Sequence, residues 1–293
     1  MKTKRNVIIF TVVVLVCGWL GVLIDTFIPE QTEGDTLGMG MWLILPLLTT
    51  IFLRAFAGDG WGDIGLSPNI KGNIKWYMIA LLIYPVVTFL ILFISYLFGW
   101  MDFANFNIKA LSSAFVGGLL FQFIKNIFEE SVWRGYLTSK LVKLKLNDFW
   151  LYFTVGGIWG AWHIPYFLVF LSENDITSVL PVNRWLFVIV GIVTMIFWTV
   201  MYTEIYLMTK SIWPLVLMHM TEDALVNPLI LDGYINIAQG KEILVSPSAG
   251  ILTTLLYFTV GLLLRARRKK QEGKFVLNTT STSTSTSTSV SKA

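Results

Sequence analysis

The sequence predicts an all-α, polytopic integral membrane protein of about eight transmembrane helices with a polar cavity inside the helix bundle. The 293 residues are 55% hydrophobic and only 14% charged, whereas an ordinary soluble domain is about 25% charged. Apolar stretches recur at roughly the 20 residues that a helix needs to cross a bilayer. The few ionisable side chains inside these stretches are costly in hydrocarbon, and they therefore mark candidate functional positions.

Eight apolar segments are long enough to span a bilayer as helices. They lie near residues 7–28, 38–56, 74–98, 111–128, 150–171, 184–207, 212–231 and 249–265. The first is too long for the core of a secretory signal and no small-x-small cleavage site closes it, so we expect a retained signal anchor. An even number of spans predicts that both termini lie on one side of the membrane.

The loops on the two sides of this bundle differ in charge. The side of the termini carries the cations of residues 2–5 and 265–270, with Arg54, Lys71, Lys75, Lys140, Lys143, Lys145 and Lys210. The opposite loops carry Lys109, Arg184 and Lys241 beside Glu30, Glu33, Asp35, Asp102, Glu173, Asp175, Asp232 and Glu242. The positive-inside rule predicts cytoplasmic termini, and we expect a bacterial plasma membrane. The clustered cations favour membrane lipids, and not nucleic acid, as partners.

One membrane-embedded domain, residues 1–270, contains all of these segments. Residues 271–293 are polar and end in a Ser-Thr repeat. Such a composition buries too little apolar surface to offset the entropy lost on ordering. We therefore expect residues 271–293 to form a disordered cytoplasmic tail.

Three charged residues follow the fourth apolar segment in FEESVWRGYL. On a helix, Glu130 and Arg134 share one face, while Glu129 is turned about 100° from Glu130. A Glu130–Arg134 pair would cancel charge locally and leave Glu129 free to face a cavity. The alternative is a structural ion pair at the end of the span, with Glu129 in solvent.

The only two histidines of the chain, His163 and His219, interrupt two further apolar segments. His163 follows small residues that would let another helix approach closely, namely Gly156, Gly157, Gly160 and Ala161. Pro165 removes a backbone donor and favours a kink just after His163.

His219 precedes Asp223 by one helical turn, a spacing that fits a hydrogen-bonded lock, half of a metal site or a catalytic pair. Each unpaired polar group would cost several kcal/mol in hydrocarbon, so we expect Glu129, His163, His219 and Asp223 to converge on one wet cavity.

Together these segments resemble the CAAX prenyl protease type II and bacteriocin-processing family of intramembrane glutamic proteases. EESVWR matches the family's Glu-Glu motif followed by Arg, WGAWH its aromatic residue four before a His, and HMTED its His followed four residues later by Asn. The resemblance covers about residues 60–230, including the DGWGDIGLSPN loop. It implies an α-helical membrane endopeptidase that acts on membrane-associated or lipidated peptides and proteins.

The resemblance also implies roles for single residues. Glu129 with His163 would activate a water molecule, and His219 with the residue one turn later would hold the oxyanion. Glu130 and Arg134 would support Glu129. The chemistry is reasonable from the residues themselves, because a carboxylate can take a proton from water and an imidazole N–H can stabilise a developing oxyanion.

Asp223 departs from the family pattern, which has Asn at this position. An ionised carboxylate cannot donate a hydrogen bond and would repel an oxyanion. Three arrangements would keep the site active: Asp223 is protonated with the help of neighbouring Glu222, it orients His219, or the pair binds a metal. Otherwise the oxyanion site is damaged and the protein is a non-catalytic relative.

A metal is the alternative to hydrolysis without a cofactor. Glu129, His163 and His219 offer ligand types that zinc accepts, but the chain lacks an H-E-x-x-H motif. We therefore expect no cofactor.

Two other functions stay open, a non-catalytic membrane partner or bacteriocin self-immunity protein and a proton-coupled transporter. The paired broken helices typical of many transporters are absent from the sequence.

Overall fold

The structure is a computed structural model that describes residues 2–28, 30–32 and 35–287, with side chains as far as Gly273. Within these residues the regular secondary structure is helical apart from one short two-stranded ribbon, so the all-α prediction is confirmed. The helices are α1 (Lys2–Asp25), α2 (Leu37–Ala55), α3 (Ile74–Leu97), α4 (Ile108–Val132), α5 (Ser139–Lys143), α6 (Asp148–Trp162), α7 (Glu173–Val179), α8 (Arg184–Thr209), α9 (Trp213–Leu231), α10 (Glu242–Val245) and α11 (Ile251–Ser287).

Two π-helical turns and a ribbon complete the described elements. The turn Trp133–Thr138 joins α4 to α5 without a break, and the turn Tyr166–Phe170 follows α6. Strands β1 (Met101–Asp102) and β2 (Asn236–Ile237) pair antiparallel. π-Helical turns are rare in proteins as a whole, and those that do occur are often found at functional sites.

Six segments of the described chain are long and apolar enough to cross a membrane. They are α1, α2, α3, the run Ile108–Lys143, the run Asp148–Phe170 and α8. The polytopic membrane fold is therefore confirmed, whereas the predicted count of eight is not. The other two predicted spans are helices α9 and α11, but α9 includes His219, Glu222 and Asp223, and basic residues crowd the middle of α11.

Two predicted boundaries differ from the structure. The sequence predicts that the fourth span ends near 128, but its helix continues through the π-helical turn to Lys143, so Glu129 lies inside a continuous helix. Helix α11 continues to Ser287 and includes most of segment 271–293, for which the sequence predicts disorder. Helix-favouring Lys, Arg, Gln and Glu between 265 and 272 continue the helix past residue 270. Residues 288–293 lie outside the described part, and the domain division at 270 stays a prediction.

Alternating helix directions give the bundle two faces. We call the face with residues 26–28, 30–32 and 35–36 and loops 98–107, 171–183 and 232–250 the acidic face, and the face with loops 56–73, 144–147 and 210–212 the basic face. Strands β1 and β2 join two loops of the acidic face. On the basic face, Trp213 donates its indole N–H to the carbonyl of Leu66, which ties loop 56–73 to the start of α9.

Asp63 anchors loop 56–73 to three cations. Its carboxylate lies 2.6 Å from Arg54, 2.9 Å from Lys140 and 2.7 Å from Lys143. Burial alone would raise the pKa of the Asp63 carboxyl, but hydrogen bonds from these three side chains outweigh it and hold the pKa well below its usual range. The loop is thus fixed to α2 and to the end of the fourth span.

Candidate active site

A cavity of about 460 Å³ lies between α2, α4, α6, α8 and α9. Glu129, His163, His219 and Asp223 all line it, so the structure brings these four predicted site residues together. The other two predicted site residues, Glu130 and Arg134, are fully buried behind the cavity wall. Most of the remaining wall is apolar or aromatic, as in most sites that bind organic ligands.

Glu129 projects a carboxylate into this cavity while only 6% exposed, and it is therefore not in bulk solvent. Its Oε1 lies 3.5 Å from the Lys125 ammonium, one turn earlier on α4. Its Oε2 is buried and has no hydrogen-bond partner among the described residues. One oxygen is thus held by a cation, and the other is free to accept a proton.

Glu130 and Arg134 form the ion pair that their spacing predicts, with 2.8 Å between Oε1 and Nη1. The guanidinium packs against two aromatic rings that meet at an angle, 4.4 Å from the centroid of Trp159 and 4.1 Å from that of Tyr202. Stacking of this kind favours arginine over lysine, because the guanidinium is planar and weakly hydrated. The rings of α6 and α8 therefore fix Arg134, and Arg134 fixes Glu130.

His219 is oriented by Glu130. Its Nδ1 lies 2.9 Å from Glu130 Oε1, the same oxygen that accepts from Arg134. A carboxylate oxygen accepts hydrogen bonds, so Nδ1 carries a proton and Nε2 is left without a partner among the described residues. Asp223, to which one of the three arrangements gives this role, forms no hydrogen bond with the ring among the described residues; the carboxylate that holds Nδ1 comes from α4.

His163 lies where α6 ends. The α-helix ends at Trp162, and a π-helical turn begins after Pro165, so regular α-helix is interrupted where Pro165 predicts a kink. The His163 Nδ1 lies 2.8 Å from the carbonyl oxygen of Trp159. Since a carbonyl can only accept, Nδ1 carries the proton, and Nε2 of the neutral ring keeps a lone pair.

Two glycines let α6 approach α8, as the sequence predicts. A Cβ atom at Gly156 would lie 2.5 Å from the Cα of Ile196, and one at Gly160 would lie 2.9 Å from the Cα of Ile192. At Gly157 a Cβ would meet nothing within 4 Å. Close packing at two of the three glycines among the four predicted small residues therefore brings the Tyr202 ring of α8 to the Arg134 pair.

Asp223 is paired and not an isolated anion. Its Oδ2 lies 2.9 Å from the Lys125 ammonium and accepts a hydrogen bond of 2.7 Å from Asn126 Nδ2. Asn227 donates to Oδ1 at 3.3 Å. The sequence motifs assign no role to Lys125 or Asn126, although a lysine one turn before Glu129 inside an apolar segment is a visible signal.

The carboxylates of the site fit a metal ion poorly. Ligand atoms of His219, Glu222 and Asp223 lie within 4.8 Å of one another, a group that shares only His219 with the predicted set of Glu129, His163 and His219. Asp223 is already neutralised by Lys125, whose ammonium would repel a cation. The absence of a metal cofactor stays a prediction.

Comparison with known proteins identifies the central part of the chain. Residues 111–225 match the family model described as type II CAAX prenyl endopeptidase Rce1-like. No curated protein matches the chain. The matched residues include Glu129, Glu130, Arg134, His163 and His219, so the resemblance predicted from the three motifs is confirmed.

Proposed function

From a chain with an Rce1-like region at residues 111–225, we propose an intramembrane endopeptidase that hydrolyses peptide bonds of membrane-associated peptides or proteins. One observation carries the proposal: Glu129 holds an unpartnered, buried carboxylate oxygen in a cavity that both histidines of the chain also line. Buried ionisable groups are costly in a membrane and are most often retained for function.

Glu129 and His163 activate the attacking water. The free Oε2 of Glu129 accepts one water proton, and the lone pair on His163 Nε2 accepts a hydrogen bond that orients the molecule. The water oxygen then bonds to the carbonyl carbon of the substrate, and the carbonyl oxygen becomes an oxyanion. Glu129 later returns its proton to the leaving amine as the C–N bond breaks.

Lys125 supplies the positive charge that the oxyanion needs. His219 Nδ1 donates to Glu130, and its Nε2 donates to the oxyanion only from a ring that carries protons on both nitrogens. An ammonium has three donors, and that of Lys125 faces two carboxylates, Asp223 at 2.9 Å and Glu129 at 3.5 Å, which can take at most two of them. The third is available to the oxyanion, so Lys125, held by Asp223, does the work that the family pattern assigns to an Asn amide.

The Glu130–Arg134 ion pair behind the cavity acts only by holding other side chains in place. Glu130 fixes the His219 ring, and Arg134, which packs against two aromatic rings, fixes Glu130. Both are fully buried and neither lines the cavity. We therefore assign them a positioning role, with direct chemistry left to Glu129, His163, His219 and Lys125.

These residues complete a hydrolytic cycle without a cofactor, so we propose metal-free catalysis in a bacterial plasma membrane with cytoplasmic termini. Activity should be the same before and after treatment of purified protein with a strong chelator. Loss of activity on chelation, with recovery on adding zinc, would contradict this part of the proposal.

The proposal is tested by comparing new peptide N-termini in membranes that carry the wild type or Glu129→Gln at equal protein levels. Termini that require Glu129 would support the peptidase and identify a substrate at once. Glu242→Gln, outside the cavity on the acidic face, is the matched control and should preserve those termini. If no terminus depends on Glu129 while a cellular phenotype of the wild type survives the substitution, the non-catalytic partner or immunity function replaces the peptidase.

A further inference from the structure

The cavity extends from Glu129 toward one face of the bundle only. Beyond the candidate catalytic residues its lining continues to residues in loops of the acidic face, namely Asp35, Thr36, Leu171, Asp175, Ser248 and Ala249. Among the described residues, none of those that line it belongs to the basic-face loops 56–73, 144–147 or 210–212. Helices α2 and α6 likewise contribute only the half that lies nearer the acidic face, and α8 contributes no residue beyond Trp198.

The other end of the cavity is closed by packed side chains. Glu130, Arg134 and Tyr202 are all 0% exposed, and Trp133 is 1% exposed. The buried Glu130–Arg134 pair and the rings that pack against it thus form a floor between the cavity and the basic face. A peptide that reaches Glu129 from the basic face would have to displace this buried ion pair and its aromatic rings.

Negative charge predominates along the open path. The lining includes one ammonium group, that of Lys125, and five carboxylates, those of Asp35, Glu129, Asp175, Glu222 and Asp223. Asp35 and Asp175, at the mouth, form no salt bridge with any described residue. A cleft of one charge sign with low-dielectric walls concentrates ligands of the opposite charge.

We propose that substrates reach the site from the acidic face and that the peptide segment next to the cleaved bond carries lysine or arginine. The cleavage itself rests on the proposed function, whereas the side of access does not. Under the positive-inside rule the acidic face lies outside the cytoplasm. The substrate class is then a cationic peptide or an extracytoplasmic segment of a membrane protein, and not a lipidated cytoplasmic tail.

The side of access is tested by labelling single cysteines with membrane-impermeant methanethiosulfonates in right-side-out and inverted vesicles. Native Cys17 is 0% exposed, so the wild type is the blank. Gln122→Cys reports the cavity, Ser248→Cys its mouth, and Ser67→Cys the basic face. Gln122→Cys should react in the same vesicles as Ser248→Cys and be protected in those where Ser67→Cys reacts. The proposal would be overturned if Gln122→Cys reacted in the vesicles in which Ser67→Cys reacts. It would also be overturned if Gln122→Cys failed to react in the vesicles in which Ser248→Cys reacts.

The charge preference is tested on Gln122→Cys with a cationic and an anionic reagent, each normalised to its rate with a free thiol. The cationic reagent should react about tenfold faster, at the low end of electrostatic steering effects. Adding Asp35→Asn and Asp175→Asn should reduce this ratio severalfold, whereas Glu242→Gln should leave it unchanged. Pentalysine should protect the cysteine better than pentaglutamate. Equal normalised rates would refute a cationic substrate. So would a ratio of cationic to anionic rates that does not change when Asp35 and Asp175 are substituted.

These measurements need no hydrolysis, so they separate the two proposals. If Gln122→Cys is labelled from the acidic face but no new terminus depends on Glu129, the proposed side of access is supported and the proposed peptidase activity is refuted. If Glu129-dependent termini appear on peptides that lack basic residues near the cut, the peptidase stands and the substrate class fails.

Discussion

Replacing Lys125 with methionine removes the cation between the two carboxylates that face the oxyanion. In the wild type the Lys125 Nζ lies 2.9 Å from Asp223 Oδ2 and 3.5 Å from Glu129 Oε1. Methionine keeps the length and apolar character of the side chain but supplies no charge. Asp223 would then be an unpaired anion beside the forming oxyanion, and Glu129 would lose the cation that holds its Oε1.

The size of the effect follows from this geometry. At 2.9 Å, unit charges attract by about 6 kcal/mol for an effective dielectric constant of about 20, before desolvation is subtracted. Loss of one oxyanion donor alone commonly lowers the rate by about 100- to 1,000-fold. We expect Lys125→Met to lower Glu129-dependent cleavage by at least about 100-fold.

The double variant Lys125→Met/Asp223→Asn identifies the cause. It removes the unpaired carboxylate and puts an amide donor at position 223, so it should regain about tenfold or more over Lys125→Met. Cleavage per folded protein is measured with a substrate found from the Glu129-dependent termini, beside thermal unfolding in detergent. Lys109→Met, an exposed lysine at the start of α4, is the matched control. A double variant no more active than Lys125→Met, or full activity of Lys125→Met, would refute the reasoning.

Three further predictions concern the scaffold. Arg134→Ala leaves a carboxylate unpaired in a fully buried position, which typically costs about 3–5 kcal/mol, so the protein should accumulate less and unfold at a lower temperature. Unchanged unfolding would contradict the buried pair. Gly156→Val should disrupt the contact of α6 with α8 and reduce accumulation, whereas Gly157→Ala should be tolerated because nothing lies within 4 Å of its added carbon. Equal effects of both would argue against close packing. The lowered pKa of Asp63 means that its stabilisation is complete above its unfolded pKa of about 3.9 and is lost as the pH falls below it. The unfolding temperature should therefore fall more steeply on acidification for the wild type than for Asp63→Asn, and parallel curves would contradict this.

Local spacing makes part of the site predictable. Residues four apart on a helix must share a face, so the Glu130–Arg134 pair follows from the spacing of the two residues in the chain. The interruption of the α-helix at His163 is also predictable from local sequence, because Pro165 removes a backbone donor. By contrast, the predicted end of the fourth span is wrong, because charged residues that are typical of the edge of the membrane are here buried by neighbouring helices. The prediction of α9 as a membrane span is not confirmed either. Its polar residues face the cavity, and they make the helix less apolar than the other spans.

The sequence alone determined that this is a helical membrane protein, which residues other than Lys125 are its candidate catalytic groups, and which family its central region resembles. Those features depend on composition and on contacts within one or two helical turns. Only the tertiary structure decided that Glu130 and not Asp223 holds His219, that Lys125 neutralises Asp223, and that the cavity opens on the acidic face. Each of these depends on how α4, α6, α8 and α9 pack side by side, and residues from separate helices have no fixed spacing in the sequence.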